Sequence, residues 1–290
     1  MRTRSKLAAL LVPLVAAAAL TATTFDATAD EPPRATAAAT PTTRVTYETG
    51  TLDSGFAALG LDNQCCPGVS LRVTDLARTG GHAVRSDLRY GDPMVKGGTR
   101  AESHTIKMPS TLFGSGMSAY YGFSVYIPST WRADDREDIL FQWHNWPDAC
   151  ESGKVPSAFL SVQPSGKWRL RVNSDAASCS TADSITKTSA DLADVKLGEW
   201  NDFVFRFDWD HDADGRVQAW HQSSKRLGWR QVLDKQGANT FNDVGPRGYL
   251  KWGVYKPAWN TAPTSVDRRV VVHDNIAVGS SFAAVDPSVG

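Results

Sequence analysis

The chain has 290 residues and a formal net charge of +0. That length accommodates one large all-β domain or two ordinary ones. Zero net charge excludes a general nucleic-acid binder, although it leaves room for a local basic cleft.

The first residues, MRTRSKLAALLVPLVAAAALTATT, have the parts of a secretory signal. Arg2, Arg4 and Lys6 form the charged start, Leu7 to Leu20 the apolar run, and ATAD a small-residue cleavage site after Ala29. The apolar run is too short and too rich in alanine for a membrane span. A signal peptide over 1–29 is expected, hence a secreted, extracellular protein with no membrane attachment after cleavage. The following stretch, to residue 44, is rich in Pro, Ala and Thr without an aromatic, as a disordered leader would be. One folded domain is expected over 45–284, working as a monomer.

Four cysteines follow: Cys65, Cys66, Cys150 and Cys179. Outside the cell an even count suggests disulfides, and three pairings are open. A bond between neighbours is strained. Either Cys65 and Cys66 are joined to each other, or both reach Cys150 and Cys179. Zinc is disfavoured because no C-x-x-C spacing occurs.

Strand-like runs recur along the folded part: 120–128, 138–144, 157–164, 167–173, 201–209, 215–222, 248–255 and 268–279. Val, Phe, Tyr and Trp enrich them and turn residues bound them. PSG at 164–166 and ADG at 213–215 are hairpin signals. No long helical period and no repeat is present. The pattern predicts an all-β jelly-roll sandwich of two antiparallel sheets with a concave groove able to hold an extended chain.

Two of these segments, and a third at 97–104, carry polar groups where a core strand would not. In YLKWGVY, Tyr249, Lys251, Gly253 and Tyr255 share one face, with Leu250, Trp252 and Val254 on the other. An ordinary structural role is available for each: lysines snorkel and glycine relieves crowding. In ILFQWH, Leu140, Gln142 and His144 oppose Ile139, Phe141 and Trp143. Burying Gln142 and His144 without partners would be costly, so an open face suits them better. The segment 97–104 adds Arg100, Glu102 and His104.

Such a set suits β-elimination on a uronic-acid polysaccharide. Removing the C5 proton creates an enolate dianion, which aimed donors and cations stabilise. Arg100 and Gln142 fit that task. A base must take the C5 proton and an acid must protonate the departing O4. A tyrosine near cations can do either, and Lys251 is such a cation on the same strand face. On this reading Gly253 leaves room for a sugar ring.

The three blocks TRAES, QWH and YLKWGVY, in that order, resemble those of jelly-roll polysaccharide lyases. The late K-x-G-x-Y block, Lys251, Gly253 and Tyr255, is similar to that of the heparin lyase I and glucuronan lyase group; alginate lyases of similar fold carry all three blocks. The resemblance spans about residues 45–280. It implies Tyr255 as catalytic acid and as base for one sugar configuration, with His144 as the alternative base. It implies that Gln142 and Arg100 neutralise the uronate carboxylate, and that Lys251 binds acidic substrate and depresses the tyrosine pKa. His104 would join this cluster. Apart from the resemblance, Glu102, Tyr249 and Arg171 are read as substrate contacts, and Trp146 and Trp259, which follow the two catalytic-looking strands, either stack on sugar rings or cover the sandwich edge. Ser103 and His104 replace the usual apolar residue of the first block. The late block runs into Lys256, Pro257 and Trp259 rather than the alginate lyase ending, which points to the glucuronan and heparin side.

The remaining features weigh less. Asp208, Asp210, Asp212, Asp214 and Gly215 resemble a calcium loop, but the twelfth position from Asp210 is His221, not glutamate. A solvated hairpin tip is the better account, and no cofactor is required by the chemistry; calcium in another loop geometry stays open. Arg169 and Arg171 share a face with Lys167, lining an anionic groove or sitting in water. A lectin-like carbohydrate-binding protein is the alternative, since it explains sandwich, aromatics and secretion without catalysis. A retaining glycosidase needs two carboxyls about 5 Å apart, and Glu102 and Glu137 are isolated in sequence. No G-x-S-x-G occurs for a serine hydrolase.

Overall fold

Alternating strands hide their apolar faces only against one another, and this chain does so with two antiparallel sheets. The computed structural model describes residues 43–56, 62–64 and 70–289. The expected signal and most of the leader, and Cys65 and Cys66, lie outside the described residues. In chain order the elements are β1 (Thr43–Val45), β2 (Asp62–Gln64), β3 (Leu71–Thr74), β4 (Ala83–Arg89), β5 (Arg100–His104), β6 (Ser118–Ile127), β7 (Asp138–Asn145), β8 (Ala158–Val162), β9 (Lys167–Ser174), β10 (Thr186–Asp194), β11 (Glu199–Asp208), β12 (Arg216–Ser223), β13 (Arg226–Gln236), β14 (Gly248–Tyr255), β15 (Arg268–Gly279) and the short helix α1 (Phe282–Val285).

One sheet runs β13-β12-β11-β6-β15-β4-β3, with β1 also beside β15; the other runs β10-β9-β8-β7-β14-β5-β2. Their inner faces meet through aromatic rings. Phe123 of β6 stacks on Phe141 of β7 at 4.0 Å, and Trp143 of β7 meets Phe205 of β11 at 4.9 Å. The result is the expected jelly-roll sandwich. Strands β1 to β4 fall outside the predicted runs, as do β10 and β13, each at one end of its sheet. Both are largely polar and exposed, because an edge strand covers little core and charged side chains protect its free hydrogen-bonding edge.

Two local departures from alternation shape the seven-stranded sheet. The pairing of β7 with β8 shifts between Ile139 and Phe141, and that of β14 with β7 shifts between Trp252 and Tyr255. A bulge resets which face a side chain takes. Leu140, expected beside Gln142, therefore joins the core with Phe141 and Trp143. Gly253 has φ +136, and a Cβ there would overlap the Ala101 carbonyl oxygen. The glycine is thus required by the close approach of β5, not by a sugar ring.

Cys150 and Cys179 are bonded to each other. This excludes the arrangement in which Cys65 and Cys66 both reach them. Just beyond β14, Lys256 is fully buried between Asp134 at 2.6 Å and Asp138 at 3.1 Å. Arg269 completes this group, 2.9 Å from Asp138 and with its guanidinium 4.1 Å from the Trp131 ring centre. Two cations and two anions held this way anchor the chain where it leaves the strand.

Gly253→Ala should lower stability by about 2–4 kcal/mol, the range for forced strain at a special backbone conformation. Thermal unfolding checks this; an unchanged midpoint would show that β5 and β14 do not need the close approach.

Candidate active site

Strand β14 lies between β7 and β5, so the pairing registers decide which side chains meet. Lys251 stands opposite Gln142 on one side and His104 on the other; Tyr249 stands opposite His144, and Tyr255 opposite Arg100. Leu250, Trp252 and Val254 point into the core. The polar set therefore occupies the outer face of one sheet.

Its centre is Glu102, only 1% exposed. Lys251 Nζ lies 2.6 Å from its Oε2, Arg100 Nη1 3.3 Å from the same oxygen, and Gln142 Nε2 donates to its Oε1 at 2.5 Å. Burial raises the Glu102 carboxyl, but Lys251 and then Arg100 outweigh it and hold it below the ordinary value. The Lys251 ammonium is lowered by burial, which Glu102 opposes. Two cations against one carboxylate leave a net positive charge. Lys251 is itself only 2% exposed and committed to Glu102. It is thus a partner of Glu102 rather than an open contact for substrate, and the cation lying on Tyr255 is Arg100.

The other groups flank this centre. On one side the Arg100 guanidinium lies 4.2 Å from the Tyr255 ring centre, and Asn260 Nδ2 donates to the Tyr255 phenol at 3.0 Å. On the other, the Tyr249 ring sits 5.4 Å from His144, 6.1 Å from His104 and 5.9 Å from Trp146. Burial, then the Glu102 charge, push the Tyr249 phenol up to about 12, so it stays protonated. Burial, then Lys251, push the His144 imidazole down to about 3. Its Nδ1 lies 2.7 Å from the Asn145 carbonyl oxygen. A carbonyl only accepts, so Nδ1 carries the proton and Nε2 is the basic nitrogen.

Of the remaining predicted contacts, Trp259 is 4% exposed and packs in the core. Its ring serves the sandwich instead of the open face. Arg171 lies over Phe159 at 5.5 Å, and Phe159 in turn stands opposite Gln142 across the sheet. Its neighbours on β9 are committed: Lys167 pairs with Asp194 at 2.9 Å and Arg169 with Asp191 at 2.6 Å. Arg171 is in no ion pair among the described residues, and its Nε has no hydrogen-bond partner. Sequence reasoning missed Asn260 and Phe159. Asn260 lies beyond the strand, on a 3-10 turn, where no strand period reaches it.

Among the described residues, two acidic groups could hold a cation. The ligand atoms of Asp210, His211 and Asp212 lie within 4.8 Å of one another, as do those of Asp148, Glu151 and Asp243. In the second group the Lys154 ammonium already occupies the space, 2.6 Å from Glu151 and 2.7 Å from Asp243. In the first, Asp210 and Asp212 each accept a backbone N–H of the turn, as a hairpin tip would have them do.

Glu102→Gln should cost about 3–5 kcal/mol, because it strands a buried ammonium without its counter-charge. Denaturant unfolding checks this, and a neutral effect would show that Glu102 does not organise the cluster. In an NMR titration the His144 ring should stay neutral, as the Nδ1–H tautomer, from pH 7 down to about 4, since its proton affinity is lowered. A midpoint near the ordinary histidine value would overturn that assignment.

Known proteins resemble this molecule in fold. A glucuronan lyase from the fungus Trichoderma reesei superposes with a TM-score of 0.70 at 21% identity, covering 86% of this chain and 99% of that one. An alginate lyase from Aplysia kurodai gives 0.56 at 13% identity, over 83% and 99%. The catalytic domain of a glycoside hydrolase family 131 protein from Coprinopsis cinerea gives 0.52 at 12% identity, over 87% and 100%. Lyases and a hydrolase share this sandwich, so the fold alone does not select the chemistry. No curated protein matches the sequence significantly. The family model described as Polysaccharide lyase matches residues 46–277, most of the folded part and all three blocks, and the chain therefore belongs to the polysaccharide lyase family.

Proposed function

We propose that this enzyme cleaves a uronic-acid polysaccharide by β-elimination, with glucuronan the foremost substrate and heparin-type or alginate-like chains as the other candidates. The observation that carries the reading is Arg100. Its Nη1 is tied to Glu102, whereas its buried Nε has no hydrogen-bond partner among the described residues. A donor held in place and left unmatched suits a substrate carboxylate. Gln142, held by Glu102 through one amide hydrogen, has a second to offer.

With the uronate carboxylate set against Arg100 and Gln142, the C5 proton is removed by Tyr255 or by His144 Nε2. The C5–H electron pair becomes the C4=C5 double bond as the C4–O4 bond breaks, and O4 leaves with a proton from Tyr255. The net positive charge of the cluster stabilises the enolate dianion between these events. Arg171, with Phe159 beneath it, suits a further uronate along the chain. The late block's departure from the alginate lyase ending supports the choice of substrate. The expected N-terminal signal, with its charged start and apolar run, supports action outside the cell by a monomeric enzyme.

Incubation with glucuronan, alginate, heparin, heparan sulfate and hyaluronan in turn should give a rise in ultraviolet absorbance from the conjugated double bond on one of them. Binding without any rise would favour the lectin-like alternative. Tyr255→Phe should lower kcat by roughly 10²–10⁴-fold, the usual worth of a general acid–base group, with substrate binding largely retained. Full activity in that variant, with loss in Tyr249→Phe, would move the role to Tyr249.

A further inference from the structure

The carboxamide of Asn260 bridges Tyr255 to the start of β5. The Thr99 backbone N–H lies 2.7 Å from Asn260 Oδ1, and Asn260 Nδ2 lies 3.0 Å from the Tyr255 phenol oxygen. Amide oxygen and nitrogen are distinguished by their partners. A backbone N–H only donates, so the carboxamide oxygen must face Thr99 and the NH2 must face Tyr255. The phenol oxygen is therefore an acceptor towards Asn260, and its own proton is free to point elsewhere. The mount is firm on both sides. The Thr99 carbonyl accepts the Lys256 N–H at 3.1 Å, the Lys256 side chain is locked in its ion pairs, and the adjacent Trp259 is buried in the core.

We infer that Asn260 is a positioning residue that stabilises the Tyr255 oxygen as a phenolate. This rests on the proposed role of Tyr255 in elimination. When Tyr255 gives its proton to O4, negative charge appears on the phenol oxygen. The Asn260 N–H then becomes a charge-assisted donor, stronger than it was to the neutral phenol. The Arg100 guanidinium over the ring acts in the same sense. Because the donor is held by Thr99 before the reaction, no reorganisation is needed as the charge develops.

The test compares the full chain with Asn260→Asp and Asn260→Ala. Asn260→Asp keeps an oxygen for the Thr99 N–H but, ionised, cannot donate and places a negative charge beside the phenol. On the polymer that the unaltered enzyme cleaves, kcat should fall about tenfold or more in Asn260→Asp, with KM changed less than about threefold. The limb of the pH–rate profile that depends on Tyr255 should move to higher pH by about one unit or more. That direction holds whether Tyr255 acts as base or as acid, because losing the donor disfavours the phenolate in both. Asn260→Ala should do the same to a smaller extent. A uniform loss at every pH with an unmoved limb would show a merely structural role and overturn the inference.

A second reading needs no substrate. Ultraviolet difference titration of tyrosine ionisation, with Tyr255→Phe as the subtraction, should place Tyr255 ionisation at higher pH in Asn260→Asp than in the unaltered protein. Equal ionisation would overturn the inference even if no polymer is cleaved. An inactive but otherwise folded enzyme with the expected titration shift would instead sink the elimination reading alone.

Discussion

The site depends on one buried carboxylate. Glu102 sits where three strands meet side by side, and each neighbour of consequence is oriented by it: Lys251 from β14, Gln142 from β7 and Arg100 from its own strand. A lone carboxylate so buried would be protonated or intolerable. Paired with two cations it becomes a fixed negative point that aims donors outward. Removing it would leave Lys251 uncompensated in the sheet and Gln142 and Arg100 without a reason to hold their present directions.

The same economy appears at the end of β14. Lys256, one residue past Tyr255, turns inward to Asp134 and Asp138. Tyr255 turns outward to Arg100 and Asn260. One strand end thus anchors the phenol by a buried ion-pair group on one side and exposes its ring to a cation on the other. Buried ion pairs of this kind add little net stability against apolar packing, but they are costly to break. Their consequence here is rigidity: the phenol, the carboxamide that supports it and the start of β5 are fixed relative to one another.

Much of this was legible in the chain. The eight predicted runs are strands because they are rich in Val, Phe, Tyr and Trp and bounded by turn residues; β15, for example, covers the whole of 268–279. What escaped were the short strands β1 to β3, the inner strand β4, whose AVRSDLR is mostly polar and charged, the outer strands β10 and β13, where solvent imposes no apolar period, and the faces of Leu140 and Gly253, where bulges reset the alternation. Trp259 escaped for a related reason: an aromatic on a turn gives no sign of whether it points into the core or across the open face.

By itself the sequence determined the sandwich and the three polar blocks, since strand periodicity and composition are local and each block lies within one strand. Which groups answer one another was decided only by tertiary structure. Lys251 meets Glu102 rather than Tyr255, and Tyr255 meets Arg100 and Asn260, because side chains on neighbouring strands are set by pairing register and bulges. Register is a property of strands brought together from distant parts of the chain, and no spacing within one of them encodes it.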